Sequence, residues 1–366
     1  KTLVCWVWVA MSKRATAILL LVTWAACLLP GYAQNSRDIS TENGLQNMFT
    51  TDDPIMKTYT FTSTVEEIVT LRATITFTTD YTFVLLSEAI LSITSEDSEY
   101  NSLVRAIGDT GPLFEVSGSA SLSLTNVVIV STATRNGGAI SVLSSSGVFI
   151  ASGVTFSGCN STGFGGAVYN RGVATFSDST FTRGYANVSG ALFNAATGVT
   201  TVTGGAFTDC HSTQDGGAFS NGGTMTIAGT AFSMNRAAEN GGDGANVGGL
   251  LTIQSCQLSD ASATAINSNG GSLFVSAGVV TLADTVISRS ASGTKGGGVG
   301  ITGGAVVVEN LVIEDAYTGL ASQGTGVFVS GAALNGSGLV FNSSAVPRAS
   351  LNTSAEKLLW GEFSGA

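Results

Sequence analysis

The sequence predicts an all-β chain wound as a single-stranded right-handed parallel β-helix of about 9–11 coils, three short strands to a coil. Three observations lead there. A large apolar residue returns nine times at intervals of 25 to 29 residues: Ile129, Phe156, Phe181, Phe207, Phe232, Leu258, Ile287, Ile313 and Phe341. A period of that size marks stacked units, because one such unit cannot bury its apolar face alone. Ahead of each return the chain alternates apolar and polar residues, the two-residue period of a strand with one buried face. This alternation, with 47 glycines, rules out a helical repeat.

The first strand of each coil lies five to seven positions before the central residue. Phe149 and Ala151, Ala174 and Phe176, Thr200 and Val202, Met225 and Ile227 point inward, with Ile150, Thr175, Thr201 and Thr226 between them. Three positions before the centre stand Asn126, Gly153, Asp178, Gly204, Gly229, Ser255, Asp284, Asn310 and Gly338. Gly, Asn and Asp tolerate a left-handed backbone, so a turn is expected there in every coil. The second strand carries the central residue inward and is followed by a polar residue in all but the first block. The third strand is announced by Gly-Gly-Ala and its variants: Gly137-Gly138-Ala139, Gly165-Gly166-Ala167, Ser189-Gly190-Ala191 and Gly216-Gly217-Ala218. Coils paired at about 4.8 Å make a stack roughly 40–50 Å long.

Gly-Gly-Ala-apolar followed by an aromatic-led Phe-x-x-Asn resembles the repeats of chlamydial polymorphic outer membrane proteins, within the wider pectin-lyase-like β-helix group. Phe232-Ser233-Met234-Asn235 matches the second motif in full. Phe156, Phe181 and Phe207 keep the aromatic and depart at the fourth place, where Cys159, Gly184 and Cys210 stand. The resemblance spans residues 113–345. It implies a β-helix and a cell-surface or adhesive role; many unrelated functions share that scaffold.

Met11 to Arg14, the apolar run Ala15–Leu29 and the small residues ending at Ala33 read as a secretory signal peptide. The apolar run is shorter than the roughly 20 residues of a spanning helix, although a retained anchor is the competing reading. The expected organisation is residues 1–10 outside the mature protein, 11–33 a signal peptide, 34–58 a linker or N-terminal cap, 59–345 the β-helix and 346–366 a tail or partial cap. An extracellular or cell-surface location follows, with no transmembrane segment in the mature chain. The net charge of −10 argues against nucleic acid as a partner. Surface glycans or other cell-surface proteins are the partners expected.

Asn160, Asn187, Asn335, Asn342 and Asn352 are N-glycosylation sequons, relevant if the source is eukaryotic; Asn335 and Asn342 fall in outward columns, and Asn160 and Asn187 in the loop before the Gly-Gly-Ala strand, where exposure is expected. Cys159 and Cys210 share a register two coils apart, beyond disulfide reach, and Cys256 occupies another column. Buried thiols are expected, with no metal and no cofactor.

An enzyme on this scaffold, acting on carbohydrate, would need clustered carboxylates with a basic group over the sugar. Asp178, Asp215, Glu239, Asp243 and Asp284 are instead scattered, and His211, the one histidine, reads as a solvated loop residue. No catalytic, metal or cofactor residue is nominated. Gly241-Gly242-Asp243-Gly244-Ala245-Asn246 resembles a calcium nonapeptide only once and is discounted.

Two positions after the centre, Arg183, Asp209, Asp260, Arg289 and Asp315 form a candidate ion-pair ladder, Arg183 beside Asp209 and Arg289 between Asp260 and Asp315. Such surface pairs contribute roughly 0–1 kcal/mol each. The ladder requires the strand to end there, since otherwise these charges would enter the core. Thr175, Thr201, Thr226, Thr252 and Thr281 form five outward rungs, either a β-branched ladder or, more remotely, an ice-binding face. The leading functional expectation is a non-catalytic, adhesin-like binding or structural rod. A carbohydrate-active enzyme is second and an ice-binding solenoid third.

Overall fold

The computed structural model describes residues 35–39, 50–53, 58–71, 74–77, 82–95, 102–105, 111–319, 324–342, 351–354, 357–361 and 364–365. Among them the chain is all strand and turn, stacked as a parallel β-solenoid with three walls. The signal peptide and residues 1–10 lie outside the described residues.

One wall is the predicted five-residue strand, seen at Val148–Ser152, Val173–Ser177, Val199–Thr203, Thr224–Ala228, Leu250–Gln254 and Val279–Ala283. A second is the strand that follows Gly-Gly-Ala, as in Val168–Asn170, Leu192–Asn194 and Phe219–Asn221. Each of these two walls is a sheet of 13 strands. The third wall is bent. It holds the short strand of the central residue, such as Ala206–Thr208, and after a turn a two-residue strand, such as His211–Ser212, in a separate ladder. That fourth ladder is missing from the sequence reading because two residues are too few to show a period.

Register is strict, with Phe156 pairing Phe181, Phe181 pairing Phe207 and Phe207 pairing Phe232. A slip of one residue would turn every apolar side chain outward, so the buried face fixes the pairing. The four rings stack at centroid distances of 4.8, 4.5 and 4.9 Å with interplanar angles of 9°, 4° and 1°. Ile129, Leu258, Ile287 and Ile313 continue the column and are fully buried. Phe341, at the end of the column, is only half-buried.

The predicted turn is present in all nine repeats. Asn126, Asp178, Ser255, Asp284 and Asn310 have φ between 47° and 55°, and Gly153, Gly204, Gly229 and Gly338 between 61° and 70°. The close approach of coils explains the glycines of Gly-Gly-Ala. A Cβ on Gly217 would run into the carbonyl oxygen of Gly242 in the next coil.

At both ends the backbone continues the ladders. Asn35–Ile39 pairs in parallel with Glu67–Leu71. Beyond Phe341, Leu351–Ser354, Lys357–Gly361 and Ser364–Gly365 pair with Val327–Ser330, Ala333–Ser337 and Val340–Phe341.

Two buried polar systems bind coils together. Asn170, Asn194, Asn221 and Asn246 are fully buried where the second wall ends. Each amide donates to the next: Asn170 to Asn194 at 3.1 Å, Asn194 to Asn221 at 2.8 Å and Asn221 to Asn246 at 2.8 Å. Nearer the N-terminus, the buried guanidinium of Arg105 donates to Ser131 Oγ and to the carbonyls of Gly111, Pro112, Thr132 and Gly138. Charge-assisted bonds to several carbonyls offset the cost of burying that cation.

Candidate functional site

The corner between the two parts of the third wall gathers the polar residues of the repeat. Gly158, Arg183, Asp209, Met234, Asp260, Arg289 and Asp315, each two positions after a central residue, all have positive φ, from 48° to 58°. The strand does end there, as the charged column requires, and these side chains turn outward. Two positions further on, Tyr185, His211 and Arg236 pair in register on consecutive coils. Arg183, Tyr185 and Arg236 are exposed, as is Met234 of the first column.

The expected ion pairs form only in part. Arg289 binds Asp260 through two parallel bonds of 2.7 Å, and its guanidinium holds the Asp260 carboxyl below the usual range. Arg183 does not pair with Asp209; its Nη2 donates to Ser157 Oγ at 3.3 Å, one coil back. Asp209 is taken by His211, whose Nε2 lies 3.1 Å from Oδ1. The left-handed backbone at Asp209 aims its carboxylate along its own turn, toward the residue two positions on, rather than up the stack. His211 is therefore a partly exposed strand residue with a carboxylate partner, where a solvated loop position was expected.

Asp243 is the other departure. It occupies the alanine position of Gly-Gly-Ala and is fully buried. It accepts hydrogen bonds from Asn235 Nδ2 at 2.9 Å and Ser272 Oγ at 2.7 Å. Burial pushes its carboxyl from 3.8 up to about 7, against the lowering effect of those two donors. The folded chain then binds this proton more tightly than the unfolded chain does. Stability contributed here is full below about pH 4 and declines as pH rises toward 7. Asp243→Asn is expected to flatten that decline and to raise the melting temperature at pH 7.5 relative to pH 4.5. An unchanged pH profile of melting would refute it.

The Asn of Phe-x-x-Asn has a structural task. Asn235 accepts from the Cys210 amide and donates from Nδ2 to the carbonyl of Phe207, the central residue one coil earlier. Cys159 and Cys210 stand in the same column and direct their Sγ to the equivalent carbonyls, of Ile129 and Phe181. Cys256 lies two positions before its centre, where Ser179, Thr230 and Thr285 bond the same kind of turn carbonyl. Cys159, Cys210 and Cys256 are free and buried, as expected, and burial pushes the Cys159 and Cys210 thiols up to about 12.

The five threonines pair as consecutive rungs. Beside them runs a second outward rank, Val173, Val199, Thr224, Leu250 and Val279, whose four aliphatic members are exposed. No charged residue interrupts the strands of this face from Ser121 to Ala283.

Asp178 and Asp284 sit at equivalent turns four coils apart, and Asp215 is tied to Asn240. Among the described residues, no group of three His, Cys, Asp or Glu could hold a metal ion, and no helix is long and apolar enough to cross a membrane. Of the sequons, Asn187 and Asn342 are exposed, Asn160 and Asn335 are half-buried, and the side chain of Asn352 lies outside the described residues. No known protein family, characterised protein or solved structure matches this chain.

Proposed function

We propose that this chain is a secreted or cell-surface rod that binds other molecules without catalysis, an adhesin-like module of the kind its Gly-Gly-Ala and Phe-x-x-Asn repeats resemble. The observation that carries the reading is the corner ridge. Tyr185, His211 and Arg236 stand on consecutive coils, beside Arg183, Asp209 and Met234, on an open surface. A solenoid repeats its outer positions at a fixed rise, which gives an extended binding surface rather than an enclosed pocket.

A screen of the full chain against immobilised glycans and intact cell surfaces tests this, run beside a viscosity assay on a uronate polymer. Saturable binding with unchanged viscosity is expected. Viscosity loss without saturable binding would favour a carbohydrate-active enzyme and overturn the reading.

A further inference from the structure

We propose that the corner ridge is a binding site for an anionic saccharide, a pyranose chain bearing carboxylate or sulfate. The inference rests on the binding-module reading and adds the site and the ligand class. The chain carries 25 acidic residues against 15 basic ones. Its ridge inverts that balance over three consecutive coils, where the guanidiniums of Arg183 and Arg236 accompany a single carboxylate, Asp209, itself held by His211. Asp260, on the next coil, is already neutralised by the two-bond grip of Arg289.

The donors are left available. Among the described residues, the Arg236 guanidinium meets only Ser262 Oγ, through Nε at 3.3 Å, so its terminal nitrogens remain for a ligand. Among the same residues, Arg183 meets only Ser157 Oγ, through Nη2. Asp209 accepts from His211 Nε2, which steadies the ring beside the two arginines.

An apolar platform lies within the same patch. Tyr185 is 47 % exposed and Met234 54 % exposed. An exposed tyrosine ring offers a flat apolar body with a polar tip, suited to the C–H face of a pyranose. Arginine's planar fork matches carboxylate and sulfate oxygens in pairs. Successive rungs are about 4.8 Å apart, so a linear ligand lying along the stack meets a new side chain at each step. An isolated basic patch on an acidic rod selects for an anion and against the rod's own surface.

The test measures binding of the full chain to hyaluronate (carboxylate), dextran sulfate (sulfate) and neutral dextran at fixed ionic strength. At least tenfold tighter binding of one anionic polymer than of dextran is expected. Arg236→Gln and Tyr185→Ala should each weaken it at least fivefold. Arg171→Gln, which removes the same charge from the turn between the second and first walls, should leave it within twofold. All three positions are exposed, and equal melting temperatures establish that the variants fold.

Equal binding of dextran, or an equal loss with Arg171→Gln, would overturn the proposal. Binding of a neutral glycan or a cell-surface protein alone would also overturn it while leaving the binding-module reading intact. Failure to bind anything in either screen would remove both.

Discussion

Phe207→Ala is expected to destabilise the protein by about 3–5 kcal/mol, the usual cost of emptying a core phenylalanine site. Its ring lies between Phe181 at 4.5 Å and Phe232 at 4.9 Å, nearly parallel to both, and is fully buried. Truncation forfeits the buried area and two stacking contacts, each worth about 0.5–1.5 kcal/mol beyond area. Coils above and below are held at the backbone by their ladders, so the cavity cannot readily collapse. Phe207→Leu, the residue type this column has at Leu258, should cost markedly less. Urea unfolding followed by circular dichroism measures both. A midpoint unchanged by Phe207→Ala would mean the column is not the continuous core described.

Asn221→Ala should come next, with a loss of roughly 2–4 kcal/mol from buried amides and carbonyls left without partners. Asn221 accepts from Asn194 Nδ2 and donates to Asn246 Oδ1, both at 2.8 Å, and also bonds the backbone at Gly223 and Leu250. It is fully buried, so water cannot replace those partners without opening the turn. Hydrogen exchange should rise at Gly223 and at the Asn194 and Asn246 turns, whereas exchange at the Thr201 rung should change little. Uniform exchange acceleration across the chain, or none, would contradict a ladder that acts locally between neighbouring coils.

Much of this structure was legible from the residue columns. The left-handed turn at Asn126, Asp178, Asp284 and Asn310, the inward phenylalanines, the buried thiols and the end of the strand at Arg183 all follow from position within the repeat. The candidate site was read less well. The Arg183–Asp209 pair was drawn from vertical neighbours, and the structure gives Asp209 to His211 within one turn. Asp243 looked like one more scattered carboxylate, yet it stands in a buried alanine slot between Asn235 and Ser272. The recurring Asn170, Asn194, Asn221 and Asn246 were visible as residues but not as a ladder. A signal was present there, since four like amides recur at the end of one strand.

The sequence by itself determined the period, the face each strand buries, the left-handed turn before each central residue and the column of stacked rings. A solenoid turns spacing along the chain directly into contact between coils, so one-dimensional repetition is enough. Only the tertiary structure decided which polar groups within a coil meet. Those contacts cross a turn, and its backbone angles, rather than any period, aim the side chains. That is why Asp209 reaches His211, why Asp243 is buried, and why Tyr185, His211 and Arg236 converge on one open corner.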